Sequence, residues 1–224
     1  MKTYEKILND PDLQKIFNFY ELSTYKTDKV GHGLKHMLRV VANAEKVSKL
    51  FRLNEQQTEA VMIAAVFHDI GVSVSGKADH AERSHDWAAD FFKHKRIKHP
   101  LMNEILEAIR NHSHGSGGMI CKFLFFADKI DICKTRPRPF GINTPGIRQY
   151  LHLTGVDFGI EDKCLVVKFT SDGKLNLVEL NEHYFIPKTF TAIKGLADCY
   201  NMGYKILLDG NEWHWSARRI LFNE

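Results

Sequence analysis

The pair His68-Asp69 stands at the end of seven consecutive apolar residues, Val61, Met62, Ile63, Ala64, Ala65, Val66 and Phe67. Seven residues are far too few to span a bilayer. Asn54, followed three residues later by Gln57, reads as a capping box from which a helix runs into this stretch. A helix that is apolar nearly all round in its second half is central and enclosed. It therefore carries an imidazole and a carboxylate into a core, where an ion without a partner is costly and has to be paired, neutralised or bound to metal. A helix-end histidine with an aspartate held by a nearby arginine or lysine meets that demand as well as a metal does.

The rest of the chain supplies the surrounding helices. Asp10 caps, and Pro11 opens, a helix with Leu13, Ile16, Phe17 and Tyr20 at helical spacing. A second covers about 33–51, with Leu34, Met37, Leu38, Val41, Ala44, Val47 and Leu50 as its apolar stripe. The capping-box helix is expected to stop at Gly71. Further helices are expected over about 81–93, 101–111 and 119–132. A connector then follows at 135–141, rich in proline and arginine. Beyond it, the runs 165–169 and 175–180 around Ser171-Asp172-Gly173 carry a hairpin signal. A helix over 188–201 and a second hairpin around Asp209-Gly210 complete the chain. The reading is mainly α, a helical bundle over 1–140 with a small α+β extension over 141–224. That extension either packs on the helical body or serves dimerisation.

Composition sets outer limits. With 224 residues, 44% apolar and 26% charged, the chain has enough apolar material for one packed domain and is not a disordered polyelectrolyte. The net charge of +4 suits a small anionic ligand and gives no particular reason to expect nucleic acid. No apolar leader or membrane span is visible. Cys121, Cys133, Cys164 and Cys199 form no Cys-x-x-Cys pair, so free thiols in a reducing cytosol are expected.

The chemistry lies in histidines and aspartates on separate helices. His36 follows Lys35 and precedes Arg39-Val40; His80 opens the 81–93 helix and His112 ends the 101–111 helix. Asp128 lies in the apolar run Phe126-Ala127-Asp128-Lys129-Ile130. Imidazole and carboxylate without sulfur suit Mn²⁺, Fe²⁺, Co²⁺, Zn²⁺ or Mg²⁺, and ligands from several helices of a bundle can converge on such an ion. Periodicity alone does not single out these residues as one site.

In this order, His36, His68-Asp69 and Asp128 resemble the H…HD…D pattern of the HD superfamily of metal-dependent phosphohydrolases. The strings around them are similar too: Gly31-His32-Gly33-Leu34-Lys35-His36, then Phe67-His68-Asp69-Ile70-Gly71, then Ala127-Asp128-Lys129. His80 and His112 fall where members with two metals carry two further histidines. That arrangement looks like the HD bis(5'-nucleosyl)-tetraphosphatases, although Ser84 stands in place of their glycine and the chain after about 140 has no counterpart there. The resemblance covers about 20–140. It implies that His36, His68 and Asp128 hold one divalent ion, that His80 and His112 complete a second, and that Asp69 bridges. It implies hydrolysis of a phosphoester or phosphoanhydride of a nucleotide or other small molecule by a metal-bound hydroxide, with His68 and Asp69 at the reacting centre. Lys35 and Arg39 are candidate cations for the phosphoryl oxygens, with Lys129, Arg136 and Arg138 as further candidates.

Two other classes fit the same residues: a di-iron HD-type oxygenase, and a non-catalytic ligand-sensing module with the extension as partner surface or homodimer contact. No Gly-Tyr-Pro follows the histidines, which sets aside the cyclic-dinucleotide phosphodiesterases. Alarmone hydrolysis stays open in principle, but the acidic pair expected after the HD in that group is absent, Ile70-Gly71-Val72-Ser73 standing there instead. His32, one turn before His36, is the alternative ligand. His85 and His114 are expected at the surface, as is the basic stretch 92–99. Trp213-His214-Trp215 reads as a strand with alternating faces.

Overall fold

The structure, a computed structural model, describes residues 3–75 and 78–215. Helices α1 (Thr3–Leu8) and α2 (Pro11–Thr24) lead in. The Asp10 side chain accepts from the Asp12 and Leu13 amides, and Leu13, Phe17 and Tyr20 are buried. Helix α3 (Leu34–Leu50) buries His36, Met37, Val40, Val41, Ala44 and Val47. Leu38, expected in that stripe, faces solvent and Val40 takes the inward place. Helix α4 (Glu55–Phe67) starts at the Asn54–Gln57 capping box, in which each side chain bonds the other residue's backbone amide.

From Ala60 to Phe67 every residue of α4 is buried, because α3, α6 (His80–His94), α7 (Met102–Asn111) and α8 (Met119–Lys129) all pack against it. Phe67 alone meets Trp87, Phe91 and Phe92 of α6, with ring centroids 5.0–5.9 Å apart. Helix α8 is equally enclosed, with the extension covering its remaining side. These two central helices carry His68-Asp69 and Asp128.

Gly71 does not end the helical path. A short helix, α5 (Ile70–Ser75), starts directly after Asp69. A Cβ at Gly71 would lie 2.3 Å from the His80 carbonyl oxygen and 2.7 Å from the Ser84 amide nitrogen. The glycine is therefore a contact residue, letting α6 approach backbone to backbone. Ser84 fits the same crossing: it is buried and its Oγ accepts from the Gly71 amide at 2.9 Å.

The extension forms a four-stranded sheet in the order β1-β2-β3-β4. Strands β1 (Leu153–Glu161) and β2 (Cys164–Ser171) are antiparallel around Asp162-Lys163, both at positive φ as a tight hairpin turn requires. Strand β2 runs parallel to β3 (Gly203–Leu208), reached through α9 (Leu177–Glu182) and α10 (Ile186–Cys199). The expected partner strand at 175–180 is helical instead. Asn176 caps it, its side chain accepting from the Glu179 amide, and Leu177 and Leu180 share a face at helical spacing. The second hairpin, β3 with β4 (Asn211–Glu212), turns at Asp209-Gly210. Trp213 is buried after β4, against Phe169 and Phe190, while its Nε1–H donates to Asn181 Oδ1. His214 points outward.

Within the single chain, the extension packs on the helical body. Phe158 of β1 meets Phe126 of α8 edge-on at 5.2 Å, and Thr189 Oγ1 of α10 donates to the Lys129 carbonyl at 2.8 Å. The apolar core is continuous from Ile7 to Trp213.

Candidate metal centre

Two of the histidines are aimed by the same local device. His68 and His112 each follow the last residue of a helix, α4 and α7, and each Nδ1 lies within hydrogen-bond distance of the carbonyl three residues back, Ala65 at 2.8 Å and Ile109 at 2.7 Å. A carbonyl only accepts, so Nδ1 carries a proton and Nε2 is the nitrogen turned to the site. His36 reaches the same state differently: its Nδ1 lies 2.7 Å from the Asp131 carboxylate, which as an ion also only accepts. Three imidazoles thus turn Nε2 inward, where it holds a proton or, once that proton is displaced, a metal ion.

These nitrogens converge. His36 Nε2 is 3.1 Å from His68 Nε2, and His80 Nε2 is 3.1 Å from His112 Nε2. Asp69 lies between the pairs. Its Oδ2 is 3.4 Å from both His36 Nε2 and His68 Nε2, and its Oδ1 is 3.5 Å from His80 Nε2 and 3.3 Å from His112 Nε2. Asp128 joins the first pair through Oδ1, 3.4 Å from His36 and 3.8 Å from His68. Among the described residues, two buried or half-buried donor groups result, His36-His68-Asp69 and Asp69-His80-His112, each with ligand atoms within 4.8 Å of one another.

The electrostatics show what these atoms lack. Burial and the Arg136 cation push His36 down, yet hydrogen bonds with Asp128, Asp131 and Asp69 outweigh them and hold its pKa up at about 9. Burial would raise Asp69 and Asp128. The His68 charge with bonds from His112, His36 and His68 keeps the first well below the carboxylate range, and Lys129 with His36 and His68 does the same for the second. His112 is lowered, chiefly by burial. Carboxylates and imidazoles facing one another in a dry site call for positive charge at the centre, from protons on the inner nitrogens or from a metal ion that displaces them. A divalent ion supplies it with the nitrogen and oxygen donors such ions take, so the residues fit the group.

Asp131 was not among the residues singled out by sequence. Besides His36 it accepts from Arg39 Nε at 2.7 Å, Arg39 Nη2 at 3.0 Å and Arg136 Nη1 at 3.0 Å. The Arg136 guanidinium also lies against the His36 ring. A carboxylate behind a ligating imidazole fixes the tautomer and ring orientation. The only sequence hint was an ionisable residue one turn after Asp128, at the end of an apolar helix.

The candidate cations divide. Arg39 and Arg136 serve Asp131, and Arg138 makes a bidentate pair with Glu21 at 2.8 and 2.6 Å. Lys35 is exposed on α3, its side chain with no hydrogen bond or ion pair to another described residue. Lys129 is buried against Asp128, to which it is hydrogen-bonded. His32 stands beside the centre, its ring centroid 6.1 Å from that of His36 and its Nδ1 3.5 Å from the Tyr20 hydroxyl. His36, not His32, contributes to the donor groups. His114 is exposed, and His85 faces Asp86 and Arg110 in an outer group with Glu82. In the basic stretch, Lys95 pairs with Asp10 and Asp12.

Residues 33–136, which contain this whole constellation, match the family model of the HD domain. Among solved structures, the chain is similar to a crystal structure of a predicted HD superfamily hydrolase from an uncultured Thermotogales bacterium. The two share 26% identity over 59% of this chain and 75% of the other, with a TM-score of 0.44. No curated protein matches the chain.

Proposed function

From a chain that carries an HD domain over residues 33–136, we propose a hydrolase that uses two divalent metal ions to cleave a phosphoester or phosphoanhydride in a small molecule. A nucleotide is the first substrate class to test. The observation that carries this reading is Asp69, which turns one carboxylate oxygen to each imidazole pair. His36, His68 and Asp128 would hold one ion, His80 and His112 the other, and Asp69 both. Bound there, the ions supply a water of lowered pKa and neutralise charge on the phosphoryl oxygens.

The chain's own residues prepare the site. Ala65 O, Ile109 O and Asp131 keep the Nδ1 protons of His68, His112 and His36 away from the inner face. Lys129 balances Asp128 through the oxygen that faces away from the imidazoles. The apolar packing of α4 and α8 excludes bulk water from behind the ligands, which strengthens every charge interaction within.

The test couples elemental analysis to a phosphate-release panel run with an oxygen electrode. Gently purified protein should carry about two divalent ions per chain and release phosphate without consuming O₂. Asp69→Ala and chelator treatment should each lower that release by about 10³-fold or more. Equal hydrolysis by metal-free protein would overturn the reading, and substrate-dependent O₂ uptake would replace it with an oxygenase.

A further inference from the structure

We infer that Lys188 of the C-terminal extension joins Lys129 in an anion subsite at the edge of the metal centre, one that takes a phosphate group. Lys129 is 5% exposed, bonded to Asp128, with its ammonium over the rings of Phe125 and Phe185 at 5.5 and 5.3 Å. Phe125 belongs to α8, and Phe185 is the residue from which α10 starts. The buried cation is thus held between one ring from the helical body and one from the extension.

Lys188 follows Phe185 by three residues, and on a helix such residues share a face. The Thr189 Oγ1 bond to the Lys129 carbonyl clamps this end of α10 onto the end of α8. Lys188 is half-buried, and its side chain makes no hydrogen bond or ion pair among the described residues. Its charged neighbours are Lys129, of like sign, and Asp128. Burial, then Lys129, lowers its pKa, and Asp128 opposes them only in part.

Two ammonium groups therefore share one carboxylate. Asp128 gives one oxygen to Lys129 and directs the other to the imidazoles. Among the described residues Asp128 offsets Lys188 only in part. A phosphate oxygen would complete the compensation, because a charge-assisted bond to an ammonium is short and strong in a partly desolvated site. Phosphate is favoured over a carboxylate because two cations and an adjacent metal centre suit a dianion; that preference rests on the function proposed above. The extension, outside the matched segment 33–136, would then contribute directly to substrate binding.

The experiment is calorimetric titration of the metal-containing full chain with inorganic phosphate, for wild type, Lys188→Ala and Lys188→Arg, with metal content measured on each. Lys188→Ala should weaken phosphate binding about 10-fold or more and Lys188→Arg about threefold or less, at unchanged metal content. In phosphate-free buffer Lys188→Ala should melt at or above the wild-type temperature, since it removes a like-charge contact. A lysine needed only for folding would instead lower it. Phosphate binding by Lys188→Ala within about twofold of wild type would overturn the subsite, as would a wild type that binds no phosphate at ~10 mM. If binding depends on Lys188 but no phosphorylated compound is hydrolysed, the subsite stands and the reaction assigned to the centre falls. If hydrolysis proceeds without dependence of phosphate binding on Lys188, only the subsite falls.

Discussion

Replacing Asp131 by asparagine keeps the side-chain shape and removes the charge on which His36, Arg39 and Arg136 converge. The four bonds from nitrogen to this carboxylate are 2.7–3.0 Å long, and both Asp131 and Arg136 are at least 95% buried. Removing one member of a buried ion pair leaves the other uncompensated, at about 3–5 kcal/mol. Arg39 is different: 29% of its side chain is exposed, so water takes over part of its role. Arg39→Met should cost only about 1–2 kcal/mol, between the values for exposed pairs and buried charged hydrogen bonds. Asp131→Asn also frees the His36 ring, and loss of such a partner typically weakens metal binding by about 10–100-fold. Urea unfolding of chelator-treated protein reads the first effect, and competition for Zn²⁺ against a fluorescent chelator reads the second. In the double variant Asp131→Asn, Arg136→Gln, part of the stability should return, because the stranded cation is gone. If Asp131→Asn unfolds within about 1 kcal/mol of wild type and holds Zn²⁺ unchanged, the carboxylate does not orient His36.

Gly71→Ala should destabilise by about 1–3 kcal/mol, the cost of overpacking, because the new methyl meets the backbone of α6 at His80 and Ser84. The same shift should weaken the ion assigned to His80 and His112 while sparing the other; equal loss at both in a metal titration would refute that. His183 should make the protein acid-sensitive: burial lowers its pKa from 6.5 to about 4, so below pH 6.5 the unfolded chain takes a proton that the folded chain refuses. Its contribution is intact above pH 6.5 and falls by up to about 3 kcal/mol as pH drops to 4, and melting curves of His183→Gln should be flatter than wild type over that window.

The long helices were legible because their signals are local. Asp10-Pro11, the Asn54–Gln57 box and the apolar run 61–67 each fix an element within one or two turns. The errors have local causes as well. Leu175 to Leu180 alternates like a strand, but the Asn176 cap and the packing of Leu180 select a helix. The β1 hairpin was hidden because Gly155 and Gly159 dilute its pattern and its turn residues are Asp162 and Lys163, without glycine. Within the site, the residues brought together at the centre, His36, His68, Asp69, His80, His112 and Asp128, were nameable only through a family pattern that fixes their order. Asp131 escaped because its partners His36 and Arg39 lie more than 90 residues away. Arg136 and Arg138 read as candidate cations for phosphoryl oxygens because sequence gives no hint that Asp131 and Glu21 wait inside for them.

The same contacts explain why this centre depends on more than the matched helices. The last carbonyls of α8 lack helical partners, and Thr189 of the extension supplies a donor at Lys129, one residue from Asp128. The segment after α8 is fastened in turn to the stretch before α3. The Gly31 amide donates to the Arg136 carbonyl at 2.9 Å, and the Arg138 amide to the Lys29 carbonyl at 3.0 Å. His36 and Asp131 are therefore fixed relative to each other by backbone on both sides. A small cleft of about 30 Å³ lies against this junction, lined by Asp131 and Arg136 from one side and by Tyr150, His183 and Phe185 of the extension from the other. The Tyr150 hydroxyl and His183 Nδ1 lie 3.1 Å apart there. Strain introduced in the extension thus has a short path, through Thr189 or through the wall of this cleft, to the carboxylates on α8 and behind His36.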